Sequence, residues 1–323
     1  MIILFSLNNR GLVEFILKSV IIALIMNRRL PPWLKKRLPP GSGLDTVTNL
    51  LSELKLTTVC DGAHCPNRAE CFQCRTATFM ILGERCTRNC RFCAVEPILC
   101  KPLPPEADEP QRVAQAAAKL GLKYIVVTSV TRDDLPDGGA EHFANTIRAI
   151  KSAIPDAAVE VLTPDFKGNI PALHSVLQAD CDVFNHNIET IPRMYPLVRP
   201  QANYQQSLNV LNAAAKWIRE KNLSEKRFVK SGFMVGLGET NDEVIALMQD
   251  LKNALVDIVT IGQYLAPSKE HYPVDRFVEP ETFAQWEAVG KEMGFKSVFA
   301  GPFVRSSYHA ANIASQAAGS GEN

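Results

Sequence analysis

An excess of charge of either sign is the first thing this chain lacks. Its 35 lysines and arginines stand against 34 aspartates and glutamates, a formal net charge of +1. No global field therefore draws it to nucleic acid or to a membrane surface. A secretory signal is also missing, because the apolar Val20–Met26 stretch runs into Asn27-Arg-Arg29 rather than a small-residue cleavage site. Without such a signal, the nine cysteines point to a reducing, cytoplasmic setting and to metal or redox use rather than disulfides. A membrane anchor is not the favoured reading of the N-terminus, since Glu14 and Lys18 break the stretch before Val20 and a spanning helix needs about 20 mostly apolar residues. A structural zinc site, which prefers paired CxxC knuckles and four protein ligands, is the next alternative and the weaker one.

What the chain has instead is two compact cysteine triplets. Cys86-Thr-Arg-Asn-Cys90-Arg-Phe-Cys93 follows an apolar run, Thr76–Gly83. Three thiolates at this spacing can hold three corners of a [4Fe–4S] cluster, whereas a closed cluster takes four. The fourth iron is then open to chelate an amino group and a carboxylate, the groups a methionine-type ligand offers. The second triplet, Cys60, Cys65 and Cys71, lies upstream at wider spacing and is likewise one ligand short. An isolated cysteine is most often a buried small hydrophobe, and Cys181 is read that way. Two triplets on polar loops are not explained by packing. Cys74 and Cys100 carry no assignment, and His64 is read as a loop residue.

From Thr76 onward β-rich runs alternate with helical patterns. Strands are expected at 76–82, 124–129, 158–162, 182–186, 228–235 and 258–265, with a closing strand at 296–300. Helices are expected at 111–120, 141–154, 170–178, 204–221, 242–255 and 282–293, on periodicities such as Phe143, Ile147, Ile150 and Ile154. Alternation with buried apolar strands indicates a parallel sheet, and six units make an α/β fold of partial TIM type, a (β/α)6 barrel. Sites in such barrels gather where the strands end. Those positions read 86–93, 131–139, 163–165, 185–189, 236–239 and 263–267, all polar, small or turn-forming. Gly236-Leu-Gly-Glu239 is read as a place where backbone approaches a ligand closely. The proline-rich Arg28–Pro40 segment reads as an extended arm wrapping the domain.

The CxxxCxxC run, with Phe92 before its last cysteine, resembles the signature of the radical S-adenosylmethionine superfamily. Cys60, Cys65 and Cys71 and the run Thr128–Gly139 narrow the resemblance to the lipoyl synthase family. So do Phe184–Thr190, Val198-Arg-Pro200, Lys230–Glu239 and the tail Gly301–His309. The likeness covers about residues 28 to 311. It implies a transferase that uses two S-adenosylmethionine molecules to insert two sulfur atoms into a protein-bound octanoyl-lysine, at C6 and C8. It implies two [4Fe–4S] clusters, one on Cys86, Cys90 and Cys93 and an auxiliary, sulfur-donating one on Cys60, Cys65 and Cys71. The auxiliary cluster's fourth ligand would be a serine of Arg305-Ser-Ser-Tyr308, carried to Ser307 with Ser306 as the second choice. Two tail serines would otherwise be read as a turn or a helix cap. Contacts to S-adenosylmethionine would fall on Phe92, Thr131, Gly138, Gly139, Asn185, Asn187 and Glu189. Arg305 would position the tail or pair with an acid.

Expected partners are octanoylated lipoyl-domain proteins, meaning 2-oxoacid dehydrogenase acyltransferase subunits or the glycine cleavage H protein, together with a reducing electron donor and cluster-repair proteins. The competing expectations are a biotin synthase-like sulfur inserter and a two-cluster electron-transfer protein. The chain then divides into an apolar extension (1–25, with Met26 as the natural start), an arm and auxiliary segment (26–75), the barrel (76–300) and a tail bearing the serine ligand (301–323). One departure from the family pattern is Cys74-Arg75, where an arginine and then a glycine are usual.

Overall fold

The computed structural model describes residues 29–36, 43–73 and 77–319. The extension 1–25, Met26 and the Cys74-Arg75 departure lie outside the described residues.

One sheet of eight strands runs in sequence order: β1 (Thr57–Thr58), β2 (Thr78–Ile81), β3 (Tyr124–Ser129), β4 (Ala158–Leu162), β5 (Val183–Asn185), β6 (Phe228–Val235), β7 (Ile258–Gln263) and β8 (Ser297–Gly301). Strands β2 to β8 are parallel neighbours, and β1 joins antiparallel to β2. Among the described residues β1 and β8 are the two edges, so the barrel is open. Helices Glu109–Leu120, Ala140–Ala153, Ile170–Gln178, Tyr204–Glu220, Asn241–Asn253 and Pro280–Glu292 are the crossovers. The α/β partial barrel expected from the alternation is the fold observed.

The local chemistry explains the elements. Strands β2 and β7 are buried along their whole length, as parallel strands covered on both faces must be. Asn169, Asn203 and Thr240 cap their helices through side-chain oxygens, Thr240 as a capping box with Glu243. Gly121 ends Glu109–Leu120 in the left-handed conformation. The main core lies between the strands' outer face and the crossover helices, with Phe79, Ile125, Val159, Phe143 and Ile147 fully buried.

Several elements depart from expectation. Strand β1 and the helices Gly43–Glu53, Val59–Gly62, Arg68–Gln73 and Ala310–Ala317 have no counterpart in the sequence reading. The Cys60–Cys71 segment, expected as polar loop, is a pair of short helices. Thr58 nucleates the first of these by accepting a hydrogen bond from the Asp61 N–H at 3.2 Å. The described part of the proline-rich arm, 29–36, is extended except for one 3₁₀ turn at Pro32–Leu34, which buries Leu34. Cys181 is buried as read, though it sits just ahead of β5. Helix Ala310–Ala317 packs Ile313 against Val183, Phe228 and Ile258. These are the first residues of β5, β6 and β7, so the helix closes the barrel end where the strands begin. No helix among the described residues is long and apolar enough to cross a membrane.

Candidate active site

The Cys86–Cys93 loop leaves the C-terminal end of β2 and is pinned on every side. Cys86 N–H donates to the Glu96 carbonyl at 2.9 Å, and Ile98 N–H returns to the Cys86 carbonyl at 2.8 Å. Thr87 bonds the Thr131 carbonyl through both its N–H and its hydroxyl. Arg91 N–H reaches the Val198 carbonyl at 2.8 Å, and His271 Nε2 lies 3.0 Å from the Cys93 carbonyl. Arg88 is the anchor: its guanidinium bonds Asp133 at 2.7 and 3.0 Å and Asp165 at 2.6 and 3.0 Å. Burial alone would raise the Asp165 carboxyl, yet Arg88 beside it holds it well below the usual carboxylate range.

The sulfurs share this crowded setting. Cys86 Sγ accepts from the Arg88 and Thr131 N–H groups at 3.4 and 3.3 Å. Burial pushes the Cys93 thiol up to about 12, and neighbouring Cys90 and Cys86 add to it. Burial also raises Cys90, against the pull of Arg199. Thiols that are costly to ionise alone become thiolates when a metal centre supplies positive charge.

Facing this loop, Asn187, Glu189 and Arg199 form a polar group at the end of β5. Asn187 Nδ2 donates to Glu189 Oε1 at 3.2 Å. Glu189 holds φ +67, anchored by its N–H to the Gly232 carbonyl and by its own carbonyl to the Met234 N–H. A non-glycine residue in that region costs about 1 kcal/mol or more, so the surroundings impose the conformation. Burial raises the Glu189 carboxyl, opposed by Arg199 and the Asn187 amide. Arg199 is buried and donates to the Asn187 and Ile188 carbonyls and the Tyr195 hydroxyl at 3.3, 3.2 and 3.1 Å.

Not every expected contact faces this space. Thr131 serves the cysteine loop through its backbone. Gly139 (φ +91) stands where a Cβ would come 2.4 Å from Leu82 Cδ1, and Gly138 (φ +64) sits against Phe166. Their lack of side chains thus serves packing. Phe92 is half-buried against the core. Asn185 turns into the barrel, where its amide donates to Glu160 at 3.0 Å. Glu160 also pairs with Lys230 at 2.9 Å and accepts from the Tyr124 hydroxyl at 2.6 Å. The close approach at Gly236 is to protein, since a Cβ there would meet Gln263 Nε2 at 2.2 Å and the Arg276 carbonyl at 2.5 Å. Glu239 spends its carboxylate on the Gly236 and Leu237 N–H groups.

The second triplet meets the tail. Cys60, Cys65, Cys71, Arg305, Ser307 and Tyr308 line one small cavity. Burial raises Cys60 to about 11 and Cys71 to about 12. Asn67 fastens the two segments by donating to the Phe303 carbonyl at 2.7 Å, and Tyr308 donates to Glu70 at 2.9 Å. Lys36 of the arm pairs with Glu70 and lies over the Phe303 and Tyr308 rings. Ser306 points elsewhere, donating to Asn187 Oδ1 at 2.8 Å. No carboxylate among the described residues pairs with Arg305, whose Nη1 donates to the Val304 carbonyl at 2.6 Å.

The donor sets suit iron–sulfur clusters: three thiols on one loop, and three thiols with a hydroxyl around one cavity. Among the described residues no three His, Cys, Asp or Glu side chains close on a single-ion site. In a cluster each thiolate binds a different iron, so its donors need not meet at a point. An open groove of about 630 Å³ lies along β1 and the 94–96 stretch, lined by Leu51, Leu56, Gly62, Met80 and Val95, with Thr57, Thr58, Arg68, Arg85 and Glu96 also on its walls.

Arg88, Asp165, Asn67 and Lys36 were given no role in the sequence reading. Arg199 lies inside Val198-Arg-Pro200 and likewise had none. The available signal was charge inside apolar runs, as at Glu160 in Ala158–Leu162 and Lys230 in Phe228–Val235.

Residues 80–251 match the sequence profile described as the Radical SAM superfamily. Residues 19–65 match that of the N-terminal domain of lipoyl synthase of the Radical_SAM family. Lipoyl synthase of Rubrobacter xylanophilus is 54% identical over 280 residues, 87% of this chain and 85% of that protein. Lipoyl synthase of Caldanaerobacter subterraneus subsp. tengcongensis is 53% identical over 285 residues, 88% of this chain and 97% of that one. Among solved structures, Streptococcus suis SuiB bound to S-adenosylmethionine superposes with TM-score 0.53 at 8% identity, over 73% of this chain and 53% of that one. HydG, a maturase of the [FeFe]-hydrogenase, gives 0.50 at 14% identity, over 91% and 63%. At such identities these two structures share the fold alone.

Proposed function

This chain belongs to the lipoyl synthase family of radical S-adenosylmethionine enzymes, and on that premise we propose how its residues divide the insertion of two sulfur atoms into a protein-bound octanoyl-lysine. Cys86, Cys90 and Cys93 would hold one [4Fe–4S] cluster, and Cys60, Cys65, Cys71 and Ser307 a second. When bound, the first supplies the electron that cleaves S-adenosylmethionine and the second supplies the sulfur.

Everything else is work for the protein. Arg88 holds the Cys86–Cys93 loop against Asp133 and Asp165. Glu189 and Asn187 offer acceptors to the ammonium of S-adenosylmethionine, and Arg199 balances their charge. The apolar side chains of Met80, Leu51 and Val95 offer the octanoyl chain a surface within a groove whose other walls are polar. Arg305 gives the thiol-lined cavity a positive wall, and a hydroxyl at Ser307 is an easier ligand to release than a fourth thiolate. The carriers would be lipoyl-domain proteins of 2-oxoacid dehydrogenases or the glycine cleavage H protein, served by an electron donor and by cluster-repair proteins.

The observation that carries this function is the shared cavity of Cys60, Cys65, Cys71 and Ser307, brought together from opposite ends of the chain. The test is anaerobic: iron and sulfide content, then turnover with reductant, S-adenosylmethionine and an octanoylated lipoyl-domain peptide. About eight irons per chain is expected, with lipoyl product capped near one per chain. About four irons, or deoxyadenosine without sulfur insertion, would refute a second working cluster.

A further inference from the structure

Ser306 and Ser307 are adjacent, yet they serve different sites. Tyr308 N–H donates to the Arg305 carbonyl at 3.0 Å, closing a turn whose two central residues are these serines. Ser307 lines the Cys60–Cys65–Cys71 cavity. Ser306 donates to Asn187 Oδ1 at 2.8 Å, and the same amide donates from Nδ2 to Glu189 Oε1 at 3.2 Å. Glu189 is felt by Cys90 and Arg199. A hydrogen-bonded line therefore runs from the tail to Glu189, whose charge reaches Cys90 of the Cys86–Cys93 loop.

The seat of the tail is built for this register. Strand β6 carries Gly232 beneath Ser306, where a Cβ would lie 3.0 Å from both Ser306 Oγ and Asn187 Oδ1 and 2.5 Å from Thr260 Oγ1. Strand β7 carries Gly262 beneath Val304, where a Cβ would come within 2.2 Å of the Val304 carbonyl oxygen. Two glycines on neighbouring strands open a slot for the tail inside the barrel. A tail displaced by one residue would lose the Ser306 bond and the Ser307 placement together.

We propose that Ser306 is a positioning residue that couples the seating of Ser307 in the auxiliary cavity to ligand occupancy of the Asn187–Glu189 site. The inference rests on the proposed reading of that site as the contact for the ammonium of S-adenosylmethionine. An ammonium at Glu189 fixes the carboxylate, the carboxylate fixes the Asn187 amide, and the amide oxygen holds Ser306. Coupling of this kind is reciprocal, so a well-seated tail favours the bound ligand by the same factor.

The test is hydrogen exchange of the tail peptide 302–309 in the reconstituted enzyme, with and without S-adenosylmethionine, in wild type, Ser306→Ala and Ser306→Thr. In wild type the ligand slows tail exchange about five-fold, the worth of one hydrogen bond. Ser306→Thr keeps the hydroxyl and the effect. Ser306→Ala loses the ligand dependence, and its affinity for S-adenosylmethionine falls by no more than that same factor. A serine that only braced the tail would give Ser306→Ala faster exchange by one factor in both states, and that result overturns the coupling. So does a wild-type tail indifferent to ligand while deoxyadenosine release shows the ligand bound. Absence of binding altogether would overturn the site reading and the coupling with it.

Discussion

Replacing Arg88 with methionine keeps the bulk of the side chain and removes its charge. Four hydrogen bonds to Asp133 and Asp165 go with it. Asp133 is partly exposed and can turn to water, but Asp165 has no exposed surface. It would keep the Lys167 N–H at 3.1 Å and the Gln206 amide at 2.9 Å, too little for a buried carboxylate. Breaking a buried pair by removing one partner costs about 3–5 kcal/mol. At roughly 2.1 cal/mol/K per residue, unfolding 323 residues carries about 0.7 kcal/mol/K, so the midpoint falls by about 6 °C. The assay is thermal unfolding of the reconstituted protein with iron counted in parallel, because the same residue anchors the Cys86–Cys93 loop. The double variant Arg88→Met/Asp165→Asn recovers half or more of the loss, since a neutral amide needs no cation. A single variant within about 1 kcal/mol of wild type, or a double variant no more stable than the single, would refute the electrostatic account.

His186 is buried with Nδ1 2.9 Å from the Thr163 carbonyl and Nε2 3.0 Å from Ser207 Oγ. Burial, with Arg199 nearby, depresses it from 6.5 to about 4. A depressed folded pKa gives stability that is whole above 6.5 and is lost as pH falls toward 4, in all about 3 kcal/mol. The slope of unfolding free energy across that window should flatten in His186→Gln, and an unchanged slope would count against this assignment. The glycines offer a paired test. Gly121→Ala meets nothing within 4 Å and bears only the cost of φ +68, about 1 kcal/mol. Gly236→Ala adds contacts at 2.2 and 2.5 Å to Gln263 and the Arg276 carbonyl, so denaturant titration should find it several-fold more costly, and equal costs would contradict the packing role.

The parallel strands were legible because their signal is local. Tyr124–Ser129, Ala158–Leu162 and Phe228–Val235 are runs rich in β-branched or aromatic residues, bounded by polar turns, and they fold over those residues. Strand β1 was not, since two threonines become a strand only through their pairing with Met80 and Phe79. The short helices around Cys60 and Cys71 were hidden because a cap and a few backbone bonds, rather than periodicity, define them. Helix Ala310–Ala317 depends on Val183, Phe228 and Ile258, which are distant in the chain. Glycines at 138, 139 and 236 mark close approach, but a sequence does not say what approaches. In each case it was protein. The cysteine spacing was visible at once, whereas the divergence of Ser306 from Ser307 needed the turn that separates them.

The hydrogen bond from Asn67 to Phe303 spans 236 residues, and this sets a timetable. At roughly 5–20 residues per second of synthesis, that stretch of chain takes on the order of 10–50 s to appear. Throughout that interval Cys60, Cys65 and Cys71 have been made but the wall bearing Arg305 and Ser307 has not. The barrel end that Ile313 closes is open for the same time. Until then the three thiols stand without the wall that encloses them. The closed cavity is therefore a feature of the completed chain, and the tail is its latch.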